Sequence, residues 1–118
     1  MKKKENILKS FKHAYEGIIF GIKNERNLEI HILIMILVIM FGIILKISQI
    51  EWLICIILFG LVISLELMNT TIETVVDMIT LERNPKAKIA KDVAAGAVLV
   101  SAISAAIIGL IIFIPKII

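Results

Sequence analysis

The sequence predicts an all-α integral membrane fold: an N-terminal amphipathic surface helix followed by three transmembrane helices, assembled as a homo-oligomer. Three observations carry this. The 118 residues are 59% apolar with a mean hydropathy of +1.00, well above the roughly 45–50% apolar content of soluble domains. The apolar residues gather into three long runs, each sufficient for the roughly 20 residues that a helix needs to cross about 30 Å of hydrocarbon. The basic residues alternate across those runs, with seven before the first, one between the first and second, four between the second and third, and one after the third. By the positive-inside rule, this places the N-terminus and the loop before the third run in the cytoplasm. Residues 1–118 read as a single multi-pass membrane domain.

The first element is the stretch 6–25, "NILKSFKHAYEGIIFGIKNE". Ile7, Leu8, Phe11, Tyr15, Ile18, Ile19 and Ile22 share one helical face, with Lys9, Lys12, His13, Glu16 and Lys23 mostly elsewhere. Such a helix lies on a membrane surface with its apolar side down. The basic start "MKKKE" is not followed by an apolar core and a small-residue cleavage site, so the N-terminus is expected to be retained.

The first span is expected at 28–47, with Glu29 and His31 at its cytoplasmic mouth and Lys46 near its outer end. The short connection "KISQIEW" places Trp52 as an interfacial anchor. The second span is expected at 51–81, which is too long for the bilayer alone, so its last turns emerge into the cytoplasm. Pro85 in "ERNPKAK" marks a helix start rather than a continuation. The third span, 93–114, carries Ala97, Ser101, Ala105 and Gly109 at intervals of four, a small-residue stripe that lets another helix approach closely.

Several chemistries are excluded at once. One cysteine, Cys55, cannot form a disulfide within the chain, and no Cys/His zinc spacing occurs. Neither GxxxxGK[ST] nor GxGxxG is present, so a bound nucleotide would have to be held by side chains. The placement of the basic residues fits a membrane surface rather than nucleic acid.

The informative stretch is "LELMNTTIETVVDMI", which follows fourteen uncharged residues, 52–65. At about 100° per residue, Glu66, Asn69, Glu73 and Asp77 share one narrow face and cover roughly 16 Å of helix axis. A charge at the bilayer centre costs at least about 2.5–3.5 kcal/mol, so such residues call for a partner or a function. Three readings of the residues stand side by side. The stripe can be polar glue between subunits helped by Asn69 and Thr70, a proton or cation relay in a small transporter, or a divalent-metal and base site. The third draws on "KNERN" and "KIAKD", which meet the same membrane face if the helices pack together. A metal between Glu25 and Glu73, with Lys91 near phosphate oxygens, is then geometrically allowed.

"ELMNTTIETVVD", followed by "AKIAKDVAAGAVL" and preceded by "NERN" and "IH", resembles the small bacterial membrane lipid kinases, the prokaryotic diacylglycerol kinase and undecaprenol kinase family. The resemblance implies a homotrimer in the bacterial cytoplasmic membrane that transfers the γ-phosphoryl group of ATP, with Mg²⁺, to a lipid alcohol at the cytoplasmic interface. It implies that Glu66 is the general base and that Glu25 and Glu73 bind the metal. Nucleotide contacts are implied for Glu25, Glu73, Glu82, Lys91 and Asp92, with Asn69 and Asp77 as orienting polar residues. Asn84 stands where the family often has a histidine. "ERN" and "IH" are more similar to the Gram-positive undecaprenol kinase type than to diacylglycerol kinases.

The chemistry agrees with that reading. Phosphoryl transfer asks the protein for alignment, charge neutralisation and a proton acceptor. Glu66 lies nearest the hydrocarbon, where desolvation disfavours its charged form and makes it the better acceptor. Glu73 and Asp77, nearer water, are left for metal binding and orientation.

Overall fold

The computed structural model describes residues 6–118; the charge pattern contributed by Lys2, Lys3 and Lys4 lies outside the described residues. Four helices follow one another: α1 (Ile7–Asn24), α2 (Arg26–Leu45), α3 (Gln49–Ile79) and α4 (Pro85–Ile117). The last three are each long and apolar enough to cross a membrane.

Local chemistry sets each boundary. Asn6 caps α1 by accepting from Leu8 N–H at 2.8 Å, and Glu25 alone, in an extended conformation, separates α1 from α2. At the far end of α2, Lys46 adopts the left-handed conformation with φ 57°. Both Lys46 N–H and Ile47 N–H then donate to Gly42 C=O, closing the last turn. Ser48 and Glu51 form a reciprocal capping box at the start of α3. Asn84 caps α4, its side-chain oxygen accepting from Lys86 N–H at 2.9 Å and Ala87 N–H at 3.3 Å, with Pro85 at the first helical position. The helix begins at Pro85, where the sequence marked a helix start; its first turns are polar, so the apolar span expected from residue 93 begins about two turns further along.

The central helix is α3. It packs most extensively on α4 and less on α2, while α1 folds back against both α2 and α3. Two glycines permit the close approaches. A Cβ on Gly21 would stand 2.8 Å from Leu67 Cδ2, and one on Gly42 would stand 2.7 Å from Trp52 Cη2. Trp52, expected as an interfacial anchor, lays its ring against the end of α2. At the same end Lys116 Nζ donates to Glu51 Oε2 at 3.1 Å, tying the end of α4 to the start of α3.

The interior is small. Buried hydrophobics among the described residues are Leu28, Ile47, Cys55, Val62, Ala94 and Ile112, whereas large apolar side chains along all three long helices point outward. That distribution suits a slab of 51 × 40 × 21 Å surrounded by lipid or by further copies.

Candidate active site

Depth along α3 sorts its polar stripe. Glu66 is 3% exposed and Asn69 8%, Glu73 is half-buried, and Asp77 is exposed. A carboxylate taken this far from water needs compensation. A polar neighbour comes from α2: His31 Nε2 stands 3.0 Å from Glu66 Oε2. The contact is not aligned as a hydrogen bond, and Glu66 Oε2 and Asn69 Oδ1 are both buried without one.

Glu25 joins the group from the break between α1 and α2. It sits at the N-terminus of α2, yet its carboxylate makes no capping hydrogen bond. The charges of Glu25 and Glu73 both act on Glu66, which places these carboxylates from two chain segments in one electrostatic neighbourhood. No three His, Cys, Asp or Glu side chains among the described residues stand close enough to form a metal cage of their own.

Nearer the end of α3, Lys91 Nζ donates to Asp77 Oδ1 at 2.7 Å, and Glu73 also acts on the Lys91 charge. Lys88 Nζ bonds Asp92 one turn away at 2.6 Å. Both pairs are substantially exposed, where an ion pair contributes about 0–1 kcal/mol. Their value is placement rather than stability. Asp77, Glu82, Arg83, Lys88, Lys91 and Asp92 line one recess of about 770 Å³ over the α3–α4 turn. Glu82, in the turn after α3, and Lys91 and Asp92, in the first turns of α4, thus border the same recess. Arg83 and Lys88 are additions; their signal in the sequence is the density of basic residues around Pro85.

A second cavity, about 410 Å³, lies among α2, α3 and α4. Its wall is apolar, from Ile34, Met35 and Val38 on α2 to Phe113 on α4, except where His31 enters it. Thr70, offered as glue beside Asn69, is spent inside α3: its Oγ1 donates to Glu66 C=O at 3.2 Å, and Thr74 Oγ1 likewise donates to Thr70 C=O at 2.8 Å. The polar stripe therefore faces its neighbours with carboxylates and Asn69, not hydroxyls.

Residues 12–113 match the family model described as prokaryotic diacylglycerol kinase. The chain belongs to that family. It is 49% identical over 108 residues to the undecaprenol kinase of Bacillus subtilis (strain 168), which covers 92% of this chain and 88% of that protein. It is 39% identical over 111 residues to a diacylglycerol kinase of Synechocystis sp. (strain ATCC 27184 / PCC 6803 / Kazusa), covering 93% of this chain and 63% of that one. The matched family region takes in α2, α3 and most of α1 and α4, so the converging carboxylates and the recess all fall inside it.

Proposed function

We propose that this chain is an undecaprenol kinase: a homotrimeric enzyme of the bacterial cytoplasmic membrane that moves the γ-phosphoryl group of ATP to the hydroxyl of undecaprenol. The observation that carries the proposal is the graded polar face of α3, with Glu66 buried beside an apolar cavity and Asp77 opening onto a charged recess. A lipid alcohol and a polyphosphate need two such environments, and here one polar face of α3 leads from the first toward the second.

The residues divide the work by depth. Glu66 accepts the proton of the lipid hydroxyl as the oxygen attacks the γ-phosphorus; the new P–O bond forms as the bond to the β–γ bridging oxygen breaks, and ADP leaves. Asn69, one turn along and buried, holds the hydroxyl in line. Lys91, fixed by Asp77, meets phosphate oxygens, and Glu82 and Asp92 orient the rest of the nucleotide within the recess.

The donor set fits Mg²⁺. This ion usually binds through one or two carboxylates and completes its shell with substrate phosphates and water, so the lack of a three-residue cage is no obstacle. Glu25 and Glu73 are the pair: both half-buried, both within charge reach of Glu66, and Glu25 uncommitted to capping. When bound, Mg²⁺ supplies neutralisation of the β- and γ-phosphate charge.

Undecaprenol is favoured over diacylglycerol by the higher identity to the undecaprenol kinase and by its fuller coverage. Both lipids present one hydroxyl at the interface above apolar tails, so the diacylglycerol reading keeps the same residues in the same roles. A small ion-coupled transporter, the reading from another class, would instead require flux in liposomes without ATP. Purified protein in detergent is expected to move label from γ-labelled ATP to an extractable lipid, and Glu66→Gln is expected to lower the rate by about 10²-fold or more, the usual range for a general base. Wild-type turnover in Glu66→Gln would sink the base assignment.

A further inference from the structure

We infer that His31 is a positioning residue for the proton acceptor, orienting the Glu66 carboxylate by donating from Nε2 to Oε2 and leaving Oε1 for the lipid hydroxyl. The inference rests on Glu66 being the base. It goes beyond that reading by adding a residue from a different helix, one that the polar stripe of α3 does not contain.

Three observations point to it. Glu66 Oε2 is buried, and the imidazole of His31 stands 3.0 Å from it, itself 21% exposed at the side chain. A buried carboxylate oxygen without a donor is costly, and Nε2 is already within hydrogen-bond distance of it. Catalytic hydrogen bonds are often misaligned before substrate arrives and tighten in the complex. The third observation is position: His31 breaks the otherwise apolar lining of the cavity of about 410 Å³. The same imidazole thus touches both the space suited to apolar chains and the carboxylate that must meet their hydroxyl.

A carboxylate with one oxygen held has a fixed direction for the other. Alignment of this kind contributes to the barrier because a proton acceptor must lie within hydrogen-bond reach of its target. Nothing is covalently changed at His31; the proton lost by the lipid goes to Glu66.

The test is a set of steady-state assays on the full chain in mixed micelles, varying ATP and lipid separately. His31→Leu is expected to lower kcat by roughly 10- to 100-fold, below the loss of a whole general base, with KM for ATP unchanged. His31→Gln, whose terminal amide reaches the place of Nε2, should recover most of that loss. His31→Asn, equally polar but one methylene shorter, should not. If the leucine variant aggregates, the Gln and Asn pair still decides, because a merely structural polar requirement would treat the two alike. In the Glu66→Gln background, His31→Leu should cost nothing further, since a residue acting through another is silent once that other is gone. Equal kcat for His31→Gln and His31→Asn, or an independent loss in the double variant, overturns the inference. The base reading fails separately, through an active Glu66→Gln.

Discussion

Lys91 is bonded to Asp77 and also lies within charge reach of Glu73, so a single ammonium connects the proposed metal pair to the recess. Its removal takes away one charge-assisted phosphate contact, worth about 1.5–3 kcal/mol. Lys91→Ala should therefore raise KM for ATP by roughly 10- to 100-fold while the lipid KM stays within error, as read from initial rates at varied ATP. Glu73→Gln acts elsewhere: it should demand more Mg²⁺ for half-maximal rate, or stay inactive at every Mg²⁺ level, and an unchanged Mg²⁺ curve would remove Glu73 from the metal pair. The stripe itself was legible in the sequence because positions three, four and seven apart share a face in any α-helix. The His31 and Glu66 contact was not, since no periodicity within one helix reports what a second helix brings opposite it. Arg83 and Lys88 were overlooked for a similar reason: a turn gathers them around a recess that spacing alone does not describe.

Among the helices, the boundary chemistry explains both what the apolar runs revealed and what they hid. The spans stood out by length, but the starts of α3 and α4 are set by Ser48 with Glu51 and by Asn84 with Pro85, short polar signals outside the apolar stretches. Asn84, placed where the family often carries a histidine, is committed to capping through both its hydrogen bonds. The α2–α3 hairpin depends instead on space. Gly42→Ala would push a methyl to 2.7 Å from a rigid indole, and overpacking of this kind typically costs about 1–3 kcal/mol. A Cβ on Gly17 would meet nothing within 4 Å, so Gly17→Ala should be neutral or stabilise by up to about 1 kcal/mol through helix propensity. Thermal unfolding in one detergent separates the two, and equal melting temperatures would mean that the indole moves aside freely.

A single copy is a thin slab with six buried hydrophobics among its described residues and apolar side chains turned outward along every long helix. Its small-residue stripe divides: Ser101 is buried, whereas Ala105 and Gly109 border the apolar cavity and Ala97 is exposed. The sequence disclosed that inside-out character through composition alone, but which outward faces meet lipid and which meet other copies is decided by surfaces that share one hydropathy. The proposed trimer predicts a detergent-corrected protein mass three times 13.2 kDa by light scattering; a monomer that retains full turnover would refute it. The central claim is that the buried end of the α3 stripe serves a polyprenol hydroxyl. It is tested most directly by offering undecaprenol and diacylglycerol together, at equal surface concentration, to the purified protein with γ-labelled ATP and Mg²⁺. Label is predicted to accumulate mainly in undecaprenyl phosphate and to fall by about 10²-fold or more in Glu66→Gln. Label appearing chiefly in phosphatidic acid, or in neither lipid, would contradict it.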